Sequence, residues 1–394
     1  MQKKVVILFV IFSVFPGSLW AKVEEKELNF FEKLFLPRQS NPDLDIMQMV
    51  WSQNLDPVYN SGNLPVALQT PLLYENFLYV GFPEKGMAAY EIEKGRLAWF
   101  QKSPGTFHGK PVSFKDYIIY GTTEGRIFSR HYLTGELKYE VDVGDSIESE
   151  GVVSKGRVLF QLRNHQIFCL DAETGKILWG HKRSVPFLTT LQKASSPLVD
   201  GSRVIIGHAD GNVVAYSIED GSLIWEQKIS TASKFMDVDM RPILYDKKIL
   251  VGPQGGNVYL LDSATGSILA QYDTQMSRIF LEKTPDFKAD IIVGNIFGDL
   301  IWLDSSLKAV KTQKMGDEAI TDLVYWAPKR GTGKSEHYWI IGTISKSLSI
   351  RDENLNEVKE FDFGHEFSSL TSGMESDGKH LAVLTSRNRL YVFK

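Results

Sequence analysis

From residue 86 to residue 394, apolar and polar residues alternate in bursts of five or six positions, punctuated by short turns rich in glycine, aspartate and asparagine. No stretch sustains a 3.6-residue period, so the pattern predicts β-strands joined by hairpins rather than helices. The bursts also repeat. Residues 167–179 (IFCLDAETGKILW), 213–225 (VVAYSIEDGSLIW) and 258–270 (VYLLDSATGSILA) are copies of one strand–turn–strand unit. Residues 87–99 and 127–139 are looser copies, and 300–310, 348–358 and 390–394 have lost the turn glycine. That makes eight units. The turn residues Gly95, Gly135, Gly175, Gly221 and Gly266 lie 40, 40, 46 and 45 positions apart.

Each residue type in the unit has a physical task. In Asp171-Ala172-Glu173-Thr174-Gly175 the aspartate can accept hydrogen bonds from turn amides, while glycine takes positive φ without steric cost. A second turn precedes each unit, as in Asp210-Gly211-Asn212, and a further pair of short strands lies upstream. Four antiparallel strands per repeat follow. One such sheet cannot cover both its faces, whereas stacking eight of them radially buries both, so an all-β, eight-bladed propeller is expected. Trp99, Trp179 and Trp225, at the strand ends, should then lie between neighbouring blades. The last unit ends at Lys394 after its inner strands, and Met49-Val50-Trp51-Ser52-Gln53 reads as the outer strand that completes it and removes a free sheet edge. The division expected is 1–21 signal peptide, 22–47 lead-in and 48–394 propeller.

The signal peptide rests on Lys3 and Lys4, the apolar run from Val5 to Phe15, and the small residue Ala21 at the expected cleavage point. Export to the periplasm follows. Cys169 is the single cysteine, so no intrachain disulfide forms and the leader has no cysteine to carry a lipid. Cys169 sits in an apolar strand, as a buried inert thiol would. The segment 28–36 (LNFFEKLFL) has the apolar spacing of a short amphipathic helix able to rest on a membrane; a tail packed on the propeller explains it equally. A formal charge of −4 with no basic stripe argues against nucleic acid as a partner.

The units resemble the PQQ-type propeller repeat, Asp-x-x-Thr-Gly-x-x-x-Trp, which Asp171–Trp179 carries nearly intact. That repeat specifies a fold and not an activity. Among its users the chain is most similar to the outer-membrane protein assembly factor B family, accessory propellers of the Bam complex. Asp237-Val238-Asp239-Met240-Arg241-Pro242, opening the fifth blade, resembles that family's Asp-Val-Asp-x-x-Pro loop, and 186–197 (PFLTTLQKASSP) resembles its Leu-Arg-Gly-x-Ser-x-Pro segment opening the fourth. The resemblance implies a non-catalytic periplasmic scaffold whose two loops bind a POTRA domain of the barrel-inserting outer-membrane subunit, with unfolded outer-membrane proteins as further partners. Leu191 would supply an apolar contact, and Asp237 and Asp239 charge. Gln192 stands where the family has arginine, and Arg241 and Lys193 are the candidate substitutes. The family's lipid-bearing cysteine is missing here, so association with the outer membrane would run through partners.

Catalytic chemistry finds no foothold. A quinone dehydrogenase needs Ca²⁺ ligands, a base and commonly a vicinal cysteine pair, and no cofactor is expected. Gly331-Thr332-Gly333-Lys334-Ser335 lacks the first glycine of a phosphate loop and has no helix behind it. The eight histidines show no metal-ligand spacing, and the acid-rich stretch 142–150 reads as a solvated loop between blades. Two other readings share this sequence: a sensor propeller holding a ligand or cofactor in its channel, and an interaction module of another envelope complex.

Overall fold

The computed structural model describes residues 46–57, 69–83, 86–184, 194–230, 237–282, 290–326, 337–345, 347–364 and 373–394. The signal peptide, most of the lead-in, Leu191, Gln192, Lys193 and the 331–335 segment lie outside the described residues. Ile46–Lys394 forms one compact unit.

Eight four-stranded antiparallel sheets make up the ring of an eight-bladed propeller, and no helix occurs among the described residues. Blade 4 shows the plan: an innermost strand Leu198–Asp200, then Arg203–Gly207, Asn212–Ser217 and the outer strand Leu223–Lys228. Its middle strands are nearly all buried, because both of their faces meet neighbouring blades, while the outer strand alternates. Blades 1 to 7 span 72–102, 112–142, 152–182, 198–228, 243–272, 276–314 and 320–362. In blade 8 the strands Glu375–Ser376, Leu381–Leu384 and Arg389–Phe393 are completed by Met49–Asn54, so the chain's first described strand pairs with its last. The expected closure is what the structure has.

The turn glycines are where blades lock together. Gly95, Gly135, Gly175, Gly221 and Gly266 all take φ between +63° and +76°. A Cβ on Gly135 would lie 2.8 Å from the Trp99 ring, one on Gly221 2.7 Å from Trp179, and one on Gly95 2.7 Å from Trp51; Gly266 meets Trp225 in the same way. Each indole thus lies flat against the next blade's turn. Each also donates its Nε1 hydrogen to a carbonyl there: Trp51 to Ile92, Trp99 to Tyr132, Trp179 to Ile218 and Trp225 to Ser263, at 2.6–3.1 Å. Between blades 2 and 3 the aromatic is Tyr139, against Gly175 and bonded to the Ala172 carbonyl. Trp51 on the closing strand means that the seam between blades 8 and 1 is locked by the device used elsewhere.

Candidate functional site

One face of the ring carries the turn between the second and third strands of each blade and the connections between blades. The 237–242 connection lies on this face at blade 5. Val238 is its anchor: its amide donates to the His208 carbonyl at 3.1 Å, and its side chain and carbonyl fill the space that a Cβ on Gly207 would occupy. Ile147 does the same in the connection between blades 2 and 3, bonding the Thr122 carbonyl and packing over Gly121. The acid-rich 142–150 stretch is therefore partly buried, through Ile147 and Ser149, rather than wholly solvated.

The aspartates that flank Val238 lie inside. Asp237 is 3% exposed and Asp239 6%, and the Asp239 Oδ1 accepts the Gln254 amide at 3.1 Å. Carboxylates placed this way shape the loop and present little charge to a partner. Arg241 is the member of the motif that reaches the surface, where its guanidinium pairs with Glu150 at 3.2 Å. Glu150 immediately precedes blade 3 and Arg241 precedes blade 5, so the pair spans blade 4 where the innermost strands begin. The Glu150 amide is also held by Ser196 Oγ, and Ser195 Oγ donates to the Met240 carbonyl at 2.8 Å. A second pair, Lys110 with Glu375 at 2.6 Å, spans blade 1 in the same manner. Burial pushes the Glu375 carboxyl up, with Lys110 acting against that shift. Together these pairs put fixed, oppositely charged groups around the mouth of the ring.

Sequence reasoning missed a feature just beneath this face. Within one residue of the end of the second strand, six blades carry glycine, at Gly81, Gly121, Gly207, Gly252, Gly294 and Gly342, whereas blade 3 has Gln161 and blade 8 Leu384. Gln161 is fully buried; its Nε2 donates to the Gly207 carbonyl at 3.3 Å and stands 3.4 Å from His208 Nδ1. His208 Nε2 lies 3.4 Å from the Tyr216 hydroxyl. The signal existed in the sequence, as a break in a column of glycines, yet it becomes visible only once strand register aligns the column.

Nothing in the described residues forms a cluster of three or more side chains able to hold a metal ion. Cys169 is buried, and burial pushes its thiol up to about 12.

Residues 123–284 match a family model described as outer membrane protein assembly factor BamB. The protein of that name from Yersinia pestis is 28% identical over 159 residues, 39% of this chain and 40% of its own length. Its namesake from Moranella endobia is 22% identical over 239 residues, 56% of this chain and 61% of its own. These alignments thus cover less than two thirds of either relative. Among solved structures, BamB from Moraxella catarrhalis superposes with a TM-score of 0.69 at 17% identity, covering 89% of this chain and all of that one. A quinohemoprotein alcohol dehydrogenase from Pseudomonas putida reaches 0.67 at 12% identity, over 88% of this chain and 76% of the enzyme, so the fold alone does not separate scaffold from enzyme. In family model, in sequence and in fold, this chain resembles the outer-membrane protein assembly factor B family.

Proposed function

We propose that this protein is a non-catalytic scaffold of outer-membrane protein assembly, acting in the periplasm and docking through its loop face onto a POTRA domain of the barrel-inserting subunit. The observation that carries this reading is the coincidence of two things. The matched segment, 123–284, contains blades 3 to 5, and those blades support a connection that combines a buried anchor with an outward-facing charged pair. A rigid frame under a polar rim is how protein interfaces hold orientation.

Burial of Asp237 and Asp239 moves the contact to Arg241 and Glu150, with the aspartates as the loop's internal supports. Leu191 and Gln192, on the neighbouring connection, remain candidate contacts by resemblance. The test is capture of the barrel-inserting subunit's soluble POTRA domains by purified propeller. Arg241→Glu is expected to weaken capture at least about tenfold, the order expected for reversing a charge at an interface, while the far-ultraviolet spectrum is unchanged. Equal capture by Arg241→Glu would remove this residue from the site, and capture of no POTRA domain by the unaltered protein would overturn the reading itself.

A further inference from the structure

Blade 3 breaks the repeat twice on the loop face, and both breaks are buried. Gln161 replaces glycine at the end of the second strand. His165 replaces glycine in the turn that follows, with φ +63° where Gly125, Gly211 and Gly298 have +75° to +85° and Asn388 has +56°. A histidine in the left-handed region costs on the order of 1 kcal/mol, so the fold gains nothing locally from it. The turn is otherwise the ordinary one, with the His165 amide donating to the Leu162 carbonyl just as Gly211 does to His208. Two buried polar atoms here have no hydrogen-bond partner: Gln161 Oε1 and His165 Nδ1.

The charged and titratable groups around this pair are few. Asp237 from the 237–242 connection, Asp210 from the blade 4 turn and Arg183, just after the outer strand of blade 3, act on His165. Arg183, Asp210, His165 and His181 act on His208, and Arg183 is itself tied to Asp210 and Glu226. Burial is the largest influence on both imidazoles and pulls each down, His208 to about 3, so both are neutral at pH 7. In the neutral state His208 Nδ1 can accept from Gln161 Nε2 while Nε2–H faces the Tyr216 hydroxyl. A proton on Nδ1 would set donor against donor beside the Arg183 guanidinium. The main chain of His208 is what holds Val238.

We propose that His208, with His165 as its neighbour, is an acid-operated latch: neutral, it holds the 237–242 connection onto blade 4, and protonation releases it. The released state binds protons with the ordinary histidine affinity near pH 6.5 and the closed state does not, so the closed form is fully favoured above that pH and loses ground as pH falls below it. The latch deepens the docking reading, because Arg241 rides on the same connection, but it stands without it.

Hydrogen exchange of single amides, corrected for intrinsic rate, reads the latch in the full chain with no partner present. Between pH 7.5 and 5.5 the opening constant at Val238 is expected to rise about tenfold from His208 alone. The Met315 amide, bonded to the Gly298 carbonyl in a turn without histidine, should not change. The variant His165→Gly with His208→Thr restores residues that other blades use at these positions, Gly125 and Thr122, and should leave Val238 equally protected at both pH values. Exchange at Val238 that ignores pH in the unaltered protein, or a pH response that survives in the double variant, overturns the latch. Because capture of POTRA domains at constant pH is a separate measurement, failure of the docking site leaves this result standing, and the converse holds too.

Discussion

Two halves of the ring solve the same packing problem in opposite ways. From the closing seam through blade 5, a large ring on the outer strand meets a glycine turn: Trp51 on Gly95, Trp99 on Gly135, Tyr139 on Gly175, Trp179 on Gly221 and Trp225 on Gly266. From blade 5 onward the outer strand offers Ala270, Lys311 and Lys359 at that position, and the following turn supplies the bulk. Leu307 and Leu355 are buried there at φ +58° and +70°. Leu307 joins the core that Ala270 packs against, and Leu355 joins the core around Trp302, over which the Lys311 ammonium sits at 5.3 Å. At the last interface the turn is not continuous. Lys394 and Gln48 bond each other's backbone, Met47 takes φ +60° and is buried, and Lys359 donates to the Ile46 and Met47 carbonyls. Bulk on the outer strand is exchanged for bulk in the turn: an aromatic ring over glycine in one part of the ring, and a small or extended side chain beside a buried leucine or methionine in the other.

That comparison can be broken most severely by emptying an aromatic seam. Trp225→Ala removes a buried indole and its bond to the Ser263 carbonyl, with an expected loss of about 4 kcal/mol in denaturant unfolding. Filling the turn instead, by Gly266→Leu, combines a clash with the indole and a left-handed leucine, and should cost about 3 kcal/mol by the same assay. Combining the two substitutions imitates the seam between blades 5 and 6. The double variant should be more stable than the sum of the single losses by at least about 1 kcal/mol, and strict additivity would refute volume exchange as the rule. In the other half, Leu307→Ala should lower stability by about 2 kcal/mol, since the vacated space has no indole to close it. The smallest effect belongs to the closure: Lys359→Met should cost about 1 kcal/mol, seen as a lower denaturant midpoint.

Much of this fold was legible because its causes are local. Strand alternation, the Asp-to-Gly turn and the recurrence of tryptophan were each visible in one unit, and repetition made them add up. Met49–Asn54 was recognisable as a missing strand by the same arithmetic. Its partner function was less legible. Asp237 and Asp239 read as exposed charges because a motif in sequence carries no information about which side chains the loop turns inward. Glu150 looked like one of several acids in a solvated stretch, and its pairing with Arg241 joins residues 91 positions apart across an intervening blade.

The sequence by itself determined the repeat, its number and the closing strand, since turn chemistry and alternating polarity act between neighbours along the chain. Only the tertiary structure decided which turns take leucine in place of glycine, which aspartates are interior, and that Gln161, His165 and His208 meet under the loop at blade 5. Those depend on what the adjacent blade leaves open, and that space is set by residues some forty positions away rather than by the segment itself.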